Sequence, residues 1–150
     1  MISLKAKYAL RALFALARAD PAAPLQISEI AEQERIPRKF LEQILLELKR
    51  RGLVASTRGA KGGYALLRPA KEITFTEVLR IIDGPIAPLP CLSVTAYRRC
   101  DDCPSEKSCL RRAFAEVAEA QRAVLSRTTI AGAIGAPRAS RPGTRKRLTH

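Results

Sequence analysis

The sequence predicts a mainly α-helical fold with one small β-hairpin, and three observations lead to this fold class. Apolar residues recur at helical spacing in several segments, whereas the two β-rich stretches flank a glycine-rich turn near residue 60. With 150 residues, of which 47% are hydrophobic and 27% charged, the chain suits one folded domain with appendages. No apolar run approaches the ~20 residues that cross a bilayer, so no membrane association is expected.

Four cations in the first eighteen residues interrupt every stretch that could serve as a signal peptide, which predicts a cytoplasmic protein: Lys5, Lys7, Arg11 and Arg18. The formal net charge is +13 and the isoelectric point is near 10.4. Residues 1–68 carry 13 basic and 6 acidic side chains, a net of +7. Such a surplus predicts a polyanionic partner, with nucleic acid ahead of a membrane surface. Residues 135–150 hold five cations and no acid, and we expect a disordered basic tail there.

The first half of the chain predicts three helices. The first runs from about residue 3 to residue 19, and Pro21 ends it. Ser28 is the expected N-cap of a short second helix that ends near Glu34, and Pro37 opens a third helix that stops at Gly52. Two short helices separated by a tight turn, the second ending in basic residues, form a helix-turn-helix pattern.

A basic β-hairpin follows the third helix. Residues 53–57 and 64–67 are the expected strands, and the loop 58–63 between them contains three glycines and two cations. An ordinary hairpin or a weak nucleotide cradle would also fit this loop, but the P-loop motif is absent. A helix-turn-helix followed by such a hairpin, or wing, is a winged helix. We expect DNA contacts from the start of the second helix, from the start of the third helix and from the wing: Ser28, Arg38, Lys39, Glu42, Gln43, Arg58, Lys61 and Gly62.

The second half predicts two further helical segments around a cysteine-bearing loop. Thr74 and Glu77 form a capping box for a helix that ends near Ile82. From about residue 108 a long helix carries a heptad row that suits a dimer interface, although the row could also pack on the chain's own core: Leu110, Phe114, Val117, Gln121 and Val124. We therefore divide the chain into a winged helix-turn-helix domain (1–84), a sensor loop (85–109), a dimerisation helix with a short final segment (108–134) and the tail (135–150).

Four cysteines, Cys91, Cys100, Cys103 and Cys109, fall within nineteen residues of that loop. In a reducing compartment such a cluster indicates metal or redox chemistry before structural disulfides. An iron–sulfur cluster needs thiolates that converge, which a loop before a helix can supply. Structural zinc usually needs two close cysteine pairs, and only Cys100 and Cys103 form one. A thiol switch is the third alternative from spacing alone.

With these motifs placed, the chain resembles the IscR/NsrR-type winged-helix regulators of the Rrf-two family over nearly its whole ordered length. The resemblance rests on the ordered series of motifs at residues 7–10, 36–37, 40–45, 52–54, 58–66, 82–85 and 128–130, together with Cys91, Cys103-Pro104 and Cys109. It implies a homodimeric bacterial transcription factor whose cysteine loop often holds an iron–sulfur cluster that controls DNA binding.

The family resemblance also implies a ligand set. Its three cysteines match Cys91, Cys103 and Cys109, whereas Cys100 is an addition. The family's variable fourth ligand, a histidine after the last cysteine or an acid in the partner's first helix, is replaced here by Arg112 and by Lys7 or Tyr8. The fourth ligand is then Cys100 or an exogenous group, and a cluster-free thiol or zinc sensor stays open.

These expectations describe a regulator rather than an enzyme. We expect a homodimer that binds double-stranded operator DNA, acts as a repressor and uses a 2Fe-2S or 4Fe-4S cluster to sense iron, redox state or nitric oxide. The four cysteines are the expected metal ligands. A zinc-bound or dithiol-switched regulator is the alternative, and a CxxC thiol oxidoreductase is a remote one.

Overall fold

The structure, a computed structural model, describes residues 2–101 and 109–135. Within these residues the elements are α1 (Leu4–Arg18), α2 (Ile27–Glu34), α3 (Arg38–Arg50), β1 (Val54–Thr57), β2 (Gly63–Leu66), α4 (Phe75–Ile82), a 3-10 turn (Pro90–Leu92), α5 (Cys109–Arg127) and α6 (Ile130–Gly135). The mainly helical fold with one antiparallel hairpin confirms the predicted fold class. Cys103 and residues 136–150, which include most of the expected tail, lie outside the described residues.

Helix α1 forms the centre of the core. Its buried face alternates small and large side chains, and α2, α3, α4 and α6 all pack against it. The alanines Ala6, Ala9 and Ala12 are fully buried, and their small size lets neighbouring helices approach closely. Ser3 caps the helix, because its hydroxyl accepts a hydrogen bond from the Ala6 N–H at 3.0 Å.

Helix α2 begins one residue before Ser28, so the expectation that Ser28 is its N-cap is wrong. Gln26 occupies the cap position, and its N–H donates to the Glu29 carboxylate at 2.6 Å. Ser28 is an exposed residue of the first helical turn. Arg35 caps the C-terminal end of the helix, adopts the left-handed conformation with φ of 50° and turns the chain towards α3.

The hairpin pairs β1 with β2 in antiparallel register, from Val54 opposite Leu66 to Thr57 opposite Gly63. A single residue before α2 extends this sheet. Leu25 and Tyr64 exchange both backbone hydrogen bonds, at 2.9 and 2.7 Å. The hairpin is therefore tied by its backbone to the segment that opens the helix-turn-helix.

The end of the described chain returns to the first domain. The Phe75 N–H donates to the Thr128 carbonyl, and the Ile130 N–H donates to the Ile73 carbonyl, each at 2.9 Å. Ile130 is fully buried, and α6 packs against α1. The short final segment predicted after Thr128 is thus α6, and it completes the core of the winged domain. Among residues 2–101 and 109–135, no helix is both long and apolar enough to pass through a membrane.

Candidate DNA-binding face and cysteine loop

Helix α3 separates its residues into a buried row and an exposed face. Leu41, Ile44, Leu45 and Leu48 are fully buried. The four residues predicted to contact DNA from this helix are all exposed: Arg38, Lys39, Glu42 and Gln43. The first turn is fixed against α1 by Phe40, whose ring meets Tyr8 edge-on at a centroid distance of 5.7 Å. The hydrophobic packing of one face therefore holds the other face out for a partner.

Some of the charged side chains on the exposed face of α3 pair with each other, and others do not. The Arg38 guanidinium lies 3.3 Å from the Glu42 carboxylate, one helical turn away. Within the described residues, Lys39 has no ion-pair partner, and neither do the two cations of the hairpin, Arg58 and Lys61. All three are exposed. Uncompensated cations on an exposed face are the feature that attracts a phosphate backbone.

The loop of the hairpin, which we call the wing (residues 58–63), is held by contacts that the local sequence does not predict. The Gln26 side chain donates to the Ala60 carbonyl at 3.3 Å, so the start of α2 contacts the wing directly. Gly62 is buried, and a Cβ there would lie 2.8 Å from the Arg58 carbonyl carbon. Glycine is therefore required at this position by the tight turn itself, and a backbone contact of Gly62 with DNA stays a prediction.

Sequence reasoning missed Leu25, Gln26 and Tyr64 as residues that position the site. In the sequence Leu25 looks like a loop residue, because it follows two prolines and precedes α2. Its pairing with Tyr64 joins residues 39 positions apart, and no local pattern encodes such a contact. The adjacent pair Gly62-Gly63 was the available signal, because consecutive glycines often mark places where another backbone approaches closely.

The cysteine loop begins in a fixed turn. Cys91 is buried in the 3-10 turn Pro90–Leu92, and the Arg122 guanidinium of α5 donates to the Leu92 carbonyl at 3.5 Å. Cys100 is half-buried, and Cys109 is the exposed first residue of α5. The described thiols are free. Cys103 lies outside the described residues.

The donor set suits a thiolate-bound centre, but the described residues do not assemble one. Over residues 2–101 and 109–135, no three histidine, cysteine or acidic side chains lie together in a way that could hold a metal ion. In chemical terms the loop offers soft thiols, which are the ligands that iron–sulfur clusters and zinc both use. The donors therefore fit either centre in type, and Cys103 would have to join them.

The heptad row predicted on α5 lies on the surface of the chain. Its apolar members are between 36% and 54% exposed: Leu110, Phe114, Val117 and Val124. The neighbouring face of the helix, with Ala118 buried and Leu125 half-buried, packs on the 3-10 turn and on α4. Within the described residues, helix α5 thus packs one face on its own chain and leaves the adjacent apolar row about half exposed.

We compared the sequence and the structure with those of known proteins. A family model described as Rrf2, iron-dependent transcriptional regulator, matches residues 2–135. The chain belongs to the Rrf2 family. Its resemblance to this family, first seen in the motifs, is confirmed, and Rrf2 proteins of this kind are DNA-binding transcriptional regulators rather than enzymes.

Among Rrf2 relatives, a putative rrf2-like regulator of Rhodobacter capsulatus is 53% identical over 121 residues, which cover 78% of this chain and 81% of the relative. CymR, the global cysteine regulator of Bacillus subtilis, has a solved structure that matches with a TM-score of 0.76 at 29% identity, covering 89% of this chain and 95% of CymR. The solved structure of IscR from T. potens matches with a TM-score of 0.69 at 27% identity, covering 89% and 85%.

Proposed function

We propose that this chain is a homodimeric repressor that places α3 in the major groove of its operator and the wing on the adjacent backbone. The observation that carries the proposal is the set of exposed cations on α3 and the wing, Lys39, Arg58 and Lys61, because α3 packs directly against the first strand of the hairpin. Recognition helices present their first turns to base edges, and basic wings contact phosphates.

Each residue of α3 suits a different contact. Glu42 can accept from a cytosine amine, Gln43 can bond adenine, and Arg38 can contact guanine or phosphate. Arg38 and Glu42 are paired across one helical turn in the free protein, so this turn offers a cation and an acceptor side by side. Ser28 is exposed in the first turn of α2, and its hydroxyl would contact a phosphate.

Salt titration of DNA binding tests this assignment. Arg58→Ala and Lys61→Ala should each weaken binding to every sequence and lower the slope of log K against log salt by about 0.9, the value of one phosphate contact. Glu42→Ala should instead change sequence preference more than total affinity. Lys71→Ala removes an exposed lysine outside α3 and the wing and serves as the matched control. If the wing variants keep the slope of the control, the wing does not contact DNA.

The homodimer is proposed to form through the exposed apolar row of α5. This row is too apolar for a solvated helix face, and its spacing of three and four residues suits packing against a second copy. Val117→Glu should yield a monomer of unchanged helix content in sedimentation experiments. Ala123→Glu, exposed on the side of α5 away from the row, is the matched control and should leave the dimer intact. A dimeric Val117→Glu variant would rule out this interface.

The cysteine loop is proposed to hold an iron–sulfur cluster through Cys91, Cys103 and Cys109, with Cys100 as the additional candidate ligand. The family description as iron-dependent, the IscR neighbour and the thiol-only donor set support this assignment. When bound, such a cluster supplies a centre sensitive to iron supply, redox state or nitric oxide. The loop lies between α4 and α5, and Arg122 links its first turn to α5, so a change in the loop can reach the proposed dimer helix.

A cluster-free thiol sensor is the second candidate, and the CymR neighbour is the observation that favours it. Anaerobic purification with visible spectra and iron, sulfide and zinc analysis separates the two. A brown protein that loses colour in Cys91→Ala, Cys103→Ala and Cys109→Ala supports the cluster. A colourless protein rules the cluster out and leaves stoichiometric zinc or a dithiol switch. Cys100→Ala should match the other three only if Cys100 is the fourth ligand.

Operator titration with matched holo and apo dimers at one salt concentration then tests sensing. A coupling free energy of about 1–3 kcal/mol would change operator affinity about 5–150-fold. Arg98 and Arg99, exposed beside Cys100, can offset the negative charge of a thiolate-bound centre, so its loss would leave them uncompensated. Identical titration curves would make the centre structural and refute its role as a sensor.

A further inference from the structure

One apolar side chain interrupts the polar face of α3. Leu46 is 47% exposed, whereas every other leucine of this helix is fully buried. It is part of neither the buried core nor the half-buried group that packs against the core. Leu46 lines an open cavity of about 470 Å³, and Lys5, Gln43, Glu47 and Arg50 line it as well. Nearly half of this leucine is left uncovered by the described residues.

The position of Leu46 around the helix axis is central to the exposed face. Each residue of an α-helix turns by about 100°, so Leu46 lies about 40° from Glu42 and about 60° from Gln43, between the two. Lys39 lies one turn before Gln43 on the same arc. The four residues therefore follow the spacing i, i+3, i+4 and i+7, which is the spacing of the base-contacting positions in a homeodomain recognition helix.

The charges around Leu46 favour the approach of a polyanion. Both acidic side chains of α3 have a cationic partner within the described residues: Glu42 pairs with Arg38 at 3.3 Å, and Glu47 pairs with Lys5 at 2.6 Å. Arg50, one turn beyond Leu46, is exposed. The leucine thus lies in a surface patch whose negative charges are already compensated, which suits the floor of a DNA groove rather than a solvated helix face.

We propose that Leu46 contacts the 5-methyl group of a thymine in the major groove and thereby reads that base pair. The inference rests on the proposed placement of α3 in the groove. Thymine is the one base that presents a methyl group there, and apolar side chains recognise it by direct contact. The polar residues of α3 would fix the register, and Leu46 would add a preference that hydrogen bonds cannot supply.

A methyl-deletion cycle tests the contact. The intact dimer first selects its operator from a random duplex library, and each thymine of that operator is then replaced singly by deoxyuridine, which pairs identically but lacks the methyl group. At one thymine per half-site, this change should weaken wild-type binding about three- to fivefold, the effect of about 0.8 kcal/mol for one buried carbon. Because the substitution is present in both protomers, Leu46→Ala should weaken binding to the thymine operator by about the square of that factor, roughly 9- to 25-fold, and lose nothing further on deoxyuridine.

Leu67→Ala is the matched control, because Leu67 is 59% exposed and lies at the end of the hairpin away from the wing. It should show no coupling to any thymine. The inference is overturned if Leu46→Ala is neutral, if its loss is the same on thymine and deoxyuridine at every position, or if it changes the dimer mass or the free energy of unfolding. Glu42→Ala and Gln43→Ala could change the sequence preference while Leu46→Ala has no effect. That result would overturn this inference alone and would still support α3 in the major groove.

Discussion

Replacing Gly63 with alanine should release the wing from the helix-turn-helix. A Cβ at this position would lie 2.6 Å from the Leu25 carbonyl carbon and 3.1 Å from the Gln26 nitrogen, and closer still to the Leu25 oxygen. All three are backbone atoms, so no rotation of a side chain can relieve the overlap. The backbone of β2 must move away, and the two hydrogen bonds between Leu25 and Tyr64 must then break.

The magnitude follows from those two hydrogen bonds. Each contributes about 1 kcal/mol net, and displacing the strand adds to the loss, so we expect Gly63→Ala to lower the free energy of unfolding by about 2–4 kcal/mol. The restriction of the unfolded chain by alanine offsets only about 0.4–1 kcal/mol of this. Against a total of about 5–15 kcal/mol for a domain of this size, the variant stays folded but is clearly weakened.

Urea unfolding and amide hydrogen exchange measure the two parts of this effect. The midpoint should fall, and the Leu25 and Tyr64 amides should lose protection before those of the core helices. Gly135→Ala makes the same chemical change where an added Cβ meets nothing within 4 Å, and it should leave stability unchanged or slightly raised. Unchanged stability together with unchanged protection of both amides in Gly63→Ala would refute the conclusion that this contact holds the wing.

Three further substitutions test the energetics of the fold. Leu13→Ala empties a fully buried position of α1 and should cost about 2–5 kcal/mol in urea unfolding. Thr74→Ala removes the hydroxyl that accepts from the Glu77 N–H at 3.2 Å and should cost about 1 kcal/mol, which thermal unfolding would register. Glu42→Ala breaks only an exposed pair with Arg38 and should change stability by less than about 0.5 kcal/mol, so a larger loss would contradict the exposed position assigned to it.

The parts of the fold that were predicted from sequence are those with strong local patterns. The apolar periodicity of α3 matches its burial, since Leu41, Ile44, Leu45 and Leu48 are fully buried and Phe40 is half-buried. The Gly-rich loop between two β-rich stretches located the hairpin within a residue or two. The predicted N-cap of α2, Ser28, was wrong because serine is a commoner cap residue than glutamine. The actual cap, Gln26, is held by hydrogen bonds to the Glu29 carboxylate and to the wing.

The parts that sequence reasoning could not supply depend on distant residues. The pairing of Leu25 with Tyr64 and the burial of Ile130 beneath α1 join segments with no common local signal. The four candidate DNA-contacting residues of α3 lie on the exposed side of that helix, because burial follows the helical period. Convergence of the four cysteines has no such rule, since a loop places its side chains through tertiary contacts, and Cys103 lies outside the described residues.

The return of α6 to the first domain has a consequence for how the protein is made. Ile130 fills the core beside α1 and Ile73, so the winged domain lacks part of its interior until residue 130 has been synthesised. A ribosome adds about 5–20 residues per second, and the roughly fifty residues between α4 and Ile130 therefore take several seconds to emerge. A chain that ends before Thr128 would lack Ile130 and leave part of the α1 core exposed, and we expect such a product to be degraded by proteases rather than to bind DNA.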